Sequence, residues 1–294
     1  MAKGYNPAAA GESGLLRLLA PNPSPMTQRG TNTYLIGTET LAVIDPGPDD
    51  AAHIDAILDA VDGRPVEAVL VTHSHLDHSP AAGPVAARLG APVLAFGPSD
   101  AGRSPTMTRL AGLGGGEGVQ ADFAPDRTLA DGAEIRGGDW TLRAHHTPGH
   151  MANHLSFEWL ETGSVFTGDT VMGWASTMIS PPDGDLGQFL DSLDRLAGLG
   201  AKRFLPGHGD PVPDPTARCA ELKAHRLGRE AAILAALAQP ADIEALVAGI
   251  YTDTPPALHG AAARNVLAHL IHLSETGRVR ADPAPGPDAI WTRC

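Results

Sequence analysis

The sequence predicts an α+β chain: a layered domain with sheet at its centre, followed by a smaller helical domain with a possible β wing. Over the first two hundred residues, short β-branched runs broken by Gly and Pro alternate with Ala-rich helical stretches. After His208 the texture changes to long helical stretches. A Pro-rich boundary, GDPVPDPT at 209–216, separates the two, which places the expected domains at 1–213 and 214–294.

The elements follow in order. Strands are expected at 15–19, 32–37, 41–44, 68–72, 92–95, 141–146, 154–159, 164–167 and 203–205, each a short extended run bounded by turn-forming residues. Helices are expected at 52–61, 84–89 and 186–197, where apolar side chains recur three and four residues apart. The second part reads as helices at 216–237, 243–250 and 261–276, then two extended pieces at 279–281 and 289–292. The stripe Val266, Leu267, Leu270, Ile271 and Leu273 is expected to be core.

Composition excludes several classes of function. The 294 residues carry a formal net charge of −13, which argues against a generic polyanion binder. The charge is uneven: residues 211–294 have a net charge of −1, so almost all the acidity lies in the first part. Two cysteines, Cys219 and Cys294, form no CxxC and suggest neither a disulfide framework nor a thiolate metal site. The first 25 residues lack the basic and apolar regions of a secretory signal, and no run approaches a membrane span, so the expected location is cytoplasmic with no membrane partner.

The chemistry concentrates in VTHSHLDHSP, residues 71–80, directly behind the strand-like run EAVLV. If the chain stays extended, alternation points His73, His75 and Asp77 to one side; if it turns helical near Ser74, His78 lies one turn from His75. Either way the imidazoles converge. Neutral imidazoles and carboxylates suit zinc, iron and manganese, so the ligand types leave the metal open. Further candidates end later extended runs: His150 in HHTPGH, Asp169 in VFTGDT and His208 in FLPGHG. Seven ligands exceed one ion's needs and suit two ions about 3.5–4 Å apart with a shared carboxylate.

With HSHLDH matching an HxHxDH pattern, and AVIDPGP, TPGH, TGDT and LPGHG present in order, the chain resembles the metallo-β-lactamase superfamily. The resemblance implies an αββα sandwich with the site at one edge of two facing sheets. It also implies that His73, His75 and His150 hold one ion, that Asp77, His78 and His208 hold the other, and that Asp169 bridges. Asp45 is then a supporting residue. The segments HRLGREAAIL, LVAGIY and AARNVLAHLIHLSETGRV look similar to the winged-helix-like tail of the β-lactamase-like protein 2 subgroup. That subgroup includes a single-stranded RNA nuclease and thioesterases acting on carrier proteins, so substrate does not follow from membership.

The expected activity is that of a binuclear hydrolase using a metal-bridging hydroxide on an ester, thioester or phosphodiester, with two divalent ions, zinc first and iron or manganese as alternatives. The partner is a small-molecule ester or thioester, or single-stranded RNA; the contrasting class is a nonenzymatic nucleic-acid-binding regulator. Asp77 is expected to steer the hydroxide proton. His146 and His154 flank TPGH and are candidates to protonate the leaving group, against a packed role. His145 is expected on the exposed side of its strand. Ser176 and Thr177 are weighed as substrate contacts against a plain loop, and GLGGGEG at 112–118 is read as a flexible loop near the site mouth. Arg218, Arg226 and Arg229 are read as a solvated or salt-bridged helix face.

By resemblance, Asp169 stands where true β-lactamases carry serine or cysteine, which weighs against antibiotic hydrolysis. The glutathione-binding pattern of glyoxalase II is not apparent. The short interval from Asp169 to His208 leaves no room for the inserted domain of long RNA nucleases.

Overall fold

The structure, a computed structural model, describes residues 13–113, 118–252, 255 and 258–294. Residues 1–12, the first part of the stretch read for a leader, and residues 114–117 of GLGGGEG lie outside the described residues.

The first sheet runs β1 (Leu15–Leu19), β2 (Asn32–Ile36), β3 (Leu41–Ile44), β4 (Val66–Leu70), β5 (Val93–Ala95) and β6 (Arg127–Thr128) in chain order. The first three strands are antiparallel and the last four parallel. The second sheet contains β7 (Glu134–Arg136), β8 (Thr141–His146), β9 (Leu155–Trp159), β10 (Ser164–Gly168) and β11 (Arg203–Pro206), in the order β11-β10-β9-β8-β7. Here only the β10–β11 pair is parallel.

The two-residue period divides each central strand between two cores. Tyr34 and Ile36, Ala42 and Ile44, and Ala68 and Leu70 face the second sheet, where they meet Trp140, Leu142, Phe157 and Phe166. Their neighbours Leu35, Leu41, Val43 and Val69 face the other way, onto α1 (Ala51–Val61) and α2 (Ala82–Leu89). The outer face of the second sheet, through Val165 and Phe204, packs on α4 (Leu186–Gly198) and on the first half of α5 (Pro215–Ala236). Four layers result, helix–sheet–sheet–helix, as the family resemblance implies. Fully burying side chains such as Phe157 and Phe166 contributes about 1.5–3 kcal/mol each.

A separate core joins the second half of α5 to α6 (Ile243–Ile250), α7 (His259–Glu275) and the hairpin β12 (Val279–Asp282) and β13 (Ile290–Arg293). Helix α5 therefore serves both cores: Cys219 and Leu222 in one, Ile233 and Leu234 in the other. Carboxylates at the N-caps start α1, α4, α5 and α6, with Asp50, Asp185, Asp214 and Asp242 each accepting a backbone N–H of the first turn.

The β4 strand ends at Leu70, before the expected 72, because its chain turns away to build the histidine loop. The sequence reading omits β6, β7 and the short α3 (Pro105–Arg109), which are too brief to show a period. No described helix is long and apolar enough to cross a membrane.

Candidate metal centre

The parallel strands β3, β4, β10 and β11 bring their C-terminal ends to one edge, and the loops leaving them carry Asp45, residues 71–80, Asp169 and His208. The β8–β9 connection adds His150. The histidine loop is neither extended nor helical: the N–H groups of His78 and Ser79 both donate to the His75 carbonyl, each at 3.0 Å, in a tight turn. That turn brings His73, His75 and His78 together with residues from three other loops.

Three groups of side chains have ligand atoms within 4.8 Å of one another: His73, His75 and His150; His73, His78 and Asp169; and Asp77, His78 and His208. In the first group, His75 Nδ1 lies 2.9 Å from both His73 Nε2 and His150 Nε2. In the last, His208 Nε2 is 3.1 Å from Asp77 Oδ2 and 3.3 Å from His78 Nε2. Asp169 faces both, with Oδ2 3.7 Å from His150 Nε2 and 3.3 Å from His208 Nε2. All seven residues expected from the sequence meet at this edge.

The partners behind the imidazoles decide which nitrogen points inward. His78 Nδ1–H donates to Asp45 Oδ2 at 2.9 Å, His150 Nδ1–H to the Met178 carbonyl at 2.8 Å, and His208 Nδ1–H to the Gly30 carbonyl at 3.2 Å. Thr72 Oγ1–H donates to Asp45 Oδ2 at 2.8 Å, so its oxygen accepts from His73 Nδ1–H at 2.9 Å. Four rings thus spend their Nδ1 hydrogen on the protein and turn Nε2 to the centre, the arrangement that orients metal-binding histidines. Asp45 also accepts the Thr72 N–H at 2.7 Å and sits at φ 49°, a left-handed conformation that a short polar residue tolerates.

Electrostatics split the centre in two. Burial drives His73 well below its ordinary range, helped by the neighbouring imidazoles, takes His75 to about 3 and lowers His150. These three rings are neutral and offer lone pairs. Burial acts downward on His78 as well, but Asp77, Asp169 and Asp45 outweigh it and raise that ring to about 9. At His208 burial is likewise outweighed, by Asp169 and Asp77, and the ring rises to about 11. Burial pushes the Asp77 carboxyl up, yet His78 and His208 hold it at about 2.

This donor set fits divalent cations. His75 Nδ1 has at most one hydrogen to share between two neighbouring nitrogens, so lone pairs converge. The buried Asp169 Oδ1 has no hydrogen-bond partner. At Gly207 a Cβ would stand 2.6 Å from Asp169 Oδ1 and 2.6 Å from His78 Cε1, so glycine keeps that space open. Around Asp77, His78 and His208 the positive charge is carried by protons that a metal would displace.

The neighbouring side chains are tied into the protein, and His145 and Arg226 are buried where exposure was expected. His146 stacks on Phe96, with ring centroids 3.8 Å apart, and its Nε2–H meets the Ala152 carbonyl at 2.9 Å, outside the metal-competent groups. His154 lies behind His73: its Nε2 accepts the Asp169 N–H at 3.2 Å, and Nδ1 meets the hydroxyls of Thr147 and Thr170 at 3.0 and 3.2 Å. Burial holds the ring well below its ordinary range. His145 is buried, not exposed, because Glu158 stands 2.9 Å from its Nε2 and Arg195 covers Nδ1. Thr177 is buried and donates to the Asp169 carbonyl at 2.5 Å. Of the α5 arginines read as a solvated or salt-bridged face, Arg218 does pair with Glu221 at 2.8 Å while also binding backbone carbonyls, Arg229 lies over the Tyr251 ring, and Arg226 departs from the expectation by being buried. The described flanks of GLGGGEG do reach the histidine loop, through Leu76 N–H to the Gly118 carbonyl at 2.7 Å.

Comparisons with known proteins agree with this geometry. The Metallo-beta-lactamase superfamily matches residues 26–208, and the Beta-lactamase associated winged helix domain matches residues 243–291. A Drosophila melanogaster protein named Beta-lactamase-like protein 2 homolog is 30% identical over 285 residues, covering 91% of this chain and 90% of its own length. A protein of Aspergillus chevalieri named Atrochrysone carboxyl ACP thioesterase is 31% identical over 229 residues, covering 76% of this chain and 65% of its own. A crystal structure of a metallo-beta-lactamase family protein from Thermus thermophilus superposes with a TM-score of 0.76 at 30% identity, covering 97% of this chain and 100% of that one. With the match spanning more than half the sequence and the histidine–aspartate centre assembled at the sheet edge, the chain belongs to the metallo-beta-lactamase superfamily of hydrolases and carries a C-terminal winged-helix domain.

Proposed function

We propose that the protein is a two-metal hydrolase of small acyl thioesters, with carboxylic esters as the next class. The observation that carries this reading is the Asp169 carboxylate, whose one oxygen faces both His150 and His208. In this reading His73, His75 and His150 hold one ion, Asp77, His78 and His208 the other, and Asp169 both. Zinc is the first choice by ligand type, with iron and manganese next. When bound, such ions lower the pKa of water towards about 7 and polarise an acyl oxygen.

The chain's own residues then divide the remaining work. Asp77 is half-buried and held ionised at about 2, so its free oxygen accepts a hydrogen bond from the attacking water and orients it. The imidazoles of His146 and His154 are tied into the protein, and burial lowers both below their ordinary value. A leaving group that departs without a proton therefore suits this centre best, and a thiolate, with a thiol pKa near about 8.5, does so far more readily than an alkoxide. The relative named as a thioesterase supports the same class.

The test is metal analysis of purified protein followed by parallel assays on acyl thioesters, lactones, bis-p-nitrophenyl phosphate and single-stranded RNA. Two equivalents of metal and chelator-sensitive thioester cleavage, abolished by Asp169→Ala, are expected. A kcat/KM on RNA well above that on every acyl substrate would replace the proposal with the nuclease reading. RNA binding that survives His73→Ala, with no turnover of anything, would replace it with a nonenzymatic regulator.

A further inference from the structure

The loop joining β10 to α4 carries Asp169 at its start and has no helix or strand between Gly168 and Leu186. Its backbone is instead held by arginines from the C-terminal helices. Arg218 donates from Nε to the Met172 carbonyl and from Nη2 to the Ala175 carbonyl, both at 2.8 Å. Arg226 Nη2 donates to the Thr177 carbonyl, and its Nη1 reaches Asn265 Oδ1 at 3.1 Å. From α7, Arg264 Nη1 donates to the Pro181 carbonyl at 3.0 Å.

Arg226 is the buried member, 3% exposed, and it touches the residue that matters most. Thr177 sends its own hydroxyl to the Asp169 carbonyl at 2.5 Å, and the next carbonyl along, that of Met178, receives His150 Nδ1–H at 2.8 Å. Both Nη atoms of this buried guanidinium are hydrogen-bonded while its Nε has no hydrogen-bond partner, and its rigid fork fixes the direction of what it binds. One C-terminal side chain therefore stands a single residue from the partners of two candidate ligands, one of them shared between both halves of the centre.

We infer that Arg226 is a positioning residue for the metal centre: through the Thr177–Met178 backbone it sets His150 and Asp169, and through Asn265 it ties the winged-helix domain to that setting. The inference rests on the two-metal reading above. It gives Arg218 and Arg226 an inward task, on the carbonyls of the loop that starts at Asp169.

Competition titration with a chromophoric chelator, on the full chain, measures the affinity for Zn(II), and the visible spectrum of the Co(II)-loaded protein reports the ligand field. Arg226→Met is expected to weaken binding up to about 10-fold, the lower end of what losing a direct outer partner of a metal ligand costs, because Arg226 acts through such partners. It should also shift the Co(II) bands at a temperature where circular dichroism shows the fold intact. Arg226→Lys should restore part of both, and Arg229→Met, on the same helix but stacked on Tyr251, should change neither. Thr177→Val removes the link to Asp169 while leaving Arg226 in place, and should also shift the Co(II) bands; it decides the matter if Arg226→Met does not fold. Wild-type affinity and an unchanged spectrum in Thr177→Val and in a folded Arg226 variant would overturn the inference alone. Wild-type protein that binds no metal would overturn the two-metal reading and this inference with it.

Discussion

His78 Nδ1 and Asp45 Oδ2 stand 2.9 Å apart with both side chains buried, although the two residues come from different strand ends. Asp45 is a supporting residue, as the resemblance implies: it accepts from His78 and twice from Thr72, and so fixes the entry of the histidine loop.

Asp45→Asn has nearly the same shape but loses acceptor capacity, since an amide NH2 cannot accept from His78, from the Thr72 hydroxyl or from the Thr72 N–H. One of those buried donors is left unpaired, at a cost of about 1–3 kcal/mol. Metal affinity should fall about 10–100-fold, because the His78 ring loses the partner that orients it. Isothermal titration with Zn(II) and urea unfolding measure the two effects. Wild-type affinity in the variant would show that Asp45 does not orient His78.

His146→Phe should keep thioester turnover within a few-fold of wild type. The ring packs flat on Phe96 and lies outside the metal-competent groups, so an apolar ring of similar size preserves the stack and loses only the bond to the Ala152 carbonyl. A fall of about 10²-fold or more in kcat, with unchanged KM, is the size expected for loss of a general acid and would return that role to His146.

Acid should destabilise the fold through two histidines away from the centre. Burial lowers His53 to about 4 and His269 to about 3, from 6.5 in the unfolded chain. Between pH 6.5 and those values the unfolded chain binds protons that the folded chain refuses. The stability they contribute is therefore complete above pH 6.5 and is lost as pH falls through the window. At about 1.4 kcal/mol per pH unit the combined effect is at most about 8 kcal/mol when both windows are crossed in full. Urea unfolding from pH 7 to 4 should show a shallower pH dependence in His53→Gln and in His269→Gln; a slope equal to wild type in both would refute the assignment.

Much of the fold was legible because its elements bury both faces or one stripe. The strands at 15–19, 41–44 and 141–146 and the helix at 243–250 match their expected bounds. Strands of two or three residues such as β6 and β7 show no period to read, and pairing with a neighbour is what makes them strands. His145 was misplaced for a related reason. Alternation along one strand gives its face correctly, but only Glu158 across the pair and Arg195 from α4 show that this face is covered.

By itself the sequence determined which metal-competent side chains converge at the sheet edge, because such residues crowded at strand ends are rare enough to stand out in one dimension. It also determined the change from sheet to helix near residue 210. The tertiary structure decided how those side chains are used: which ring nitrogen faces inward, which imidazoles are neutral, and that Arg226 is buried against a carbonyl 49 residues away. Those outcomes depend on partners distant along the chain and on the low polarity of a closed interior, and neither exists until the layers have packed.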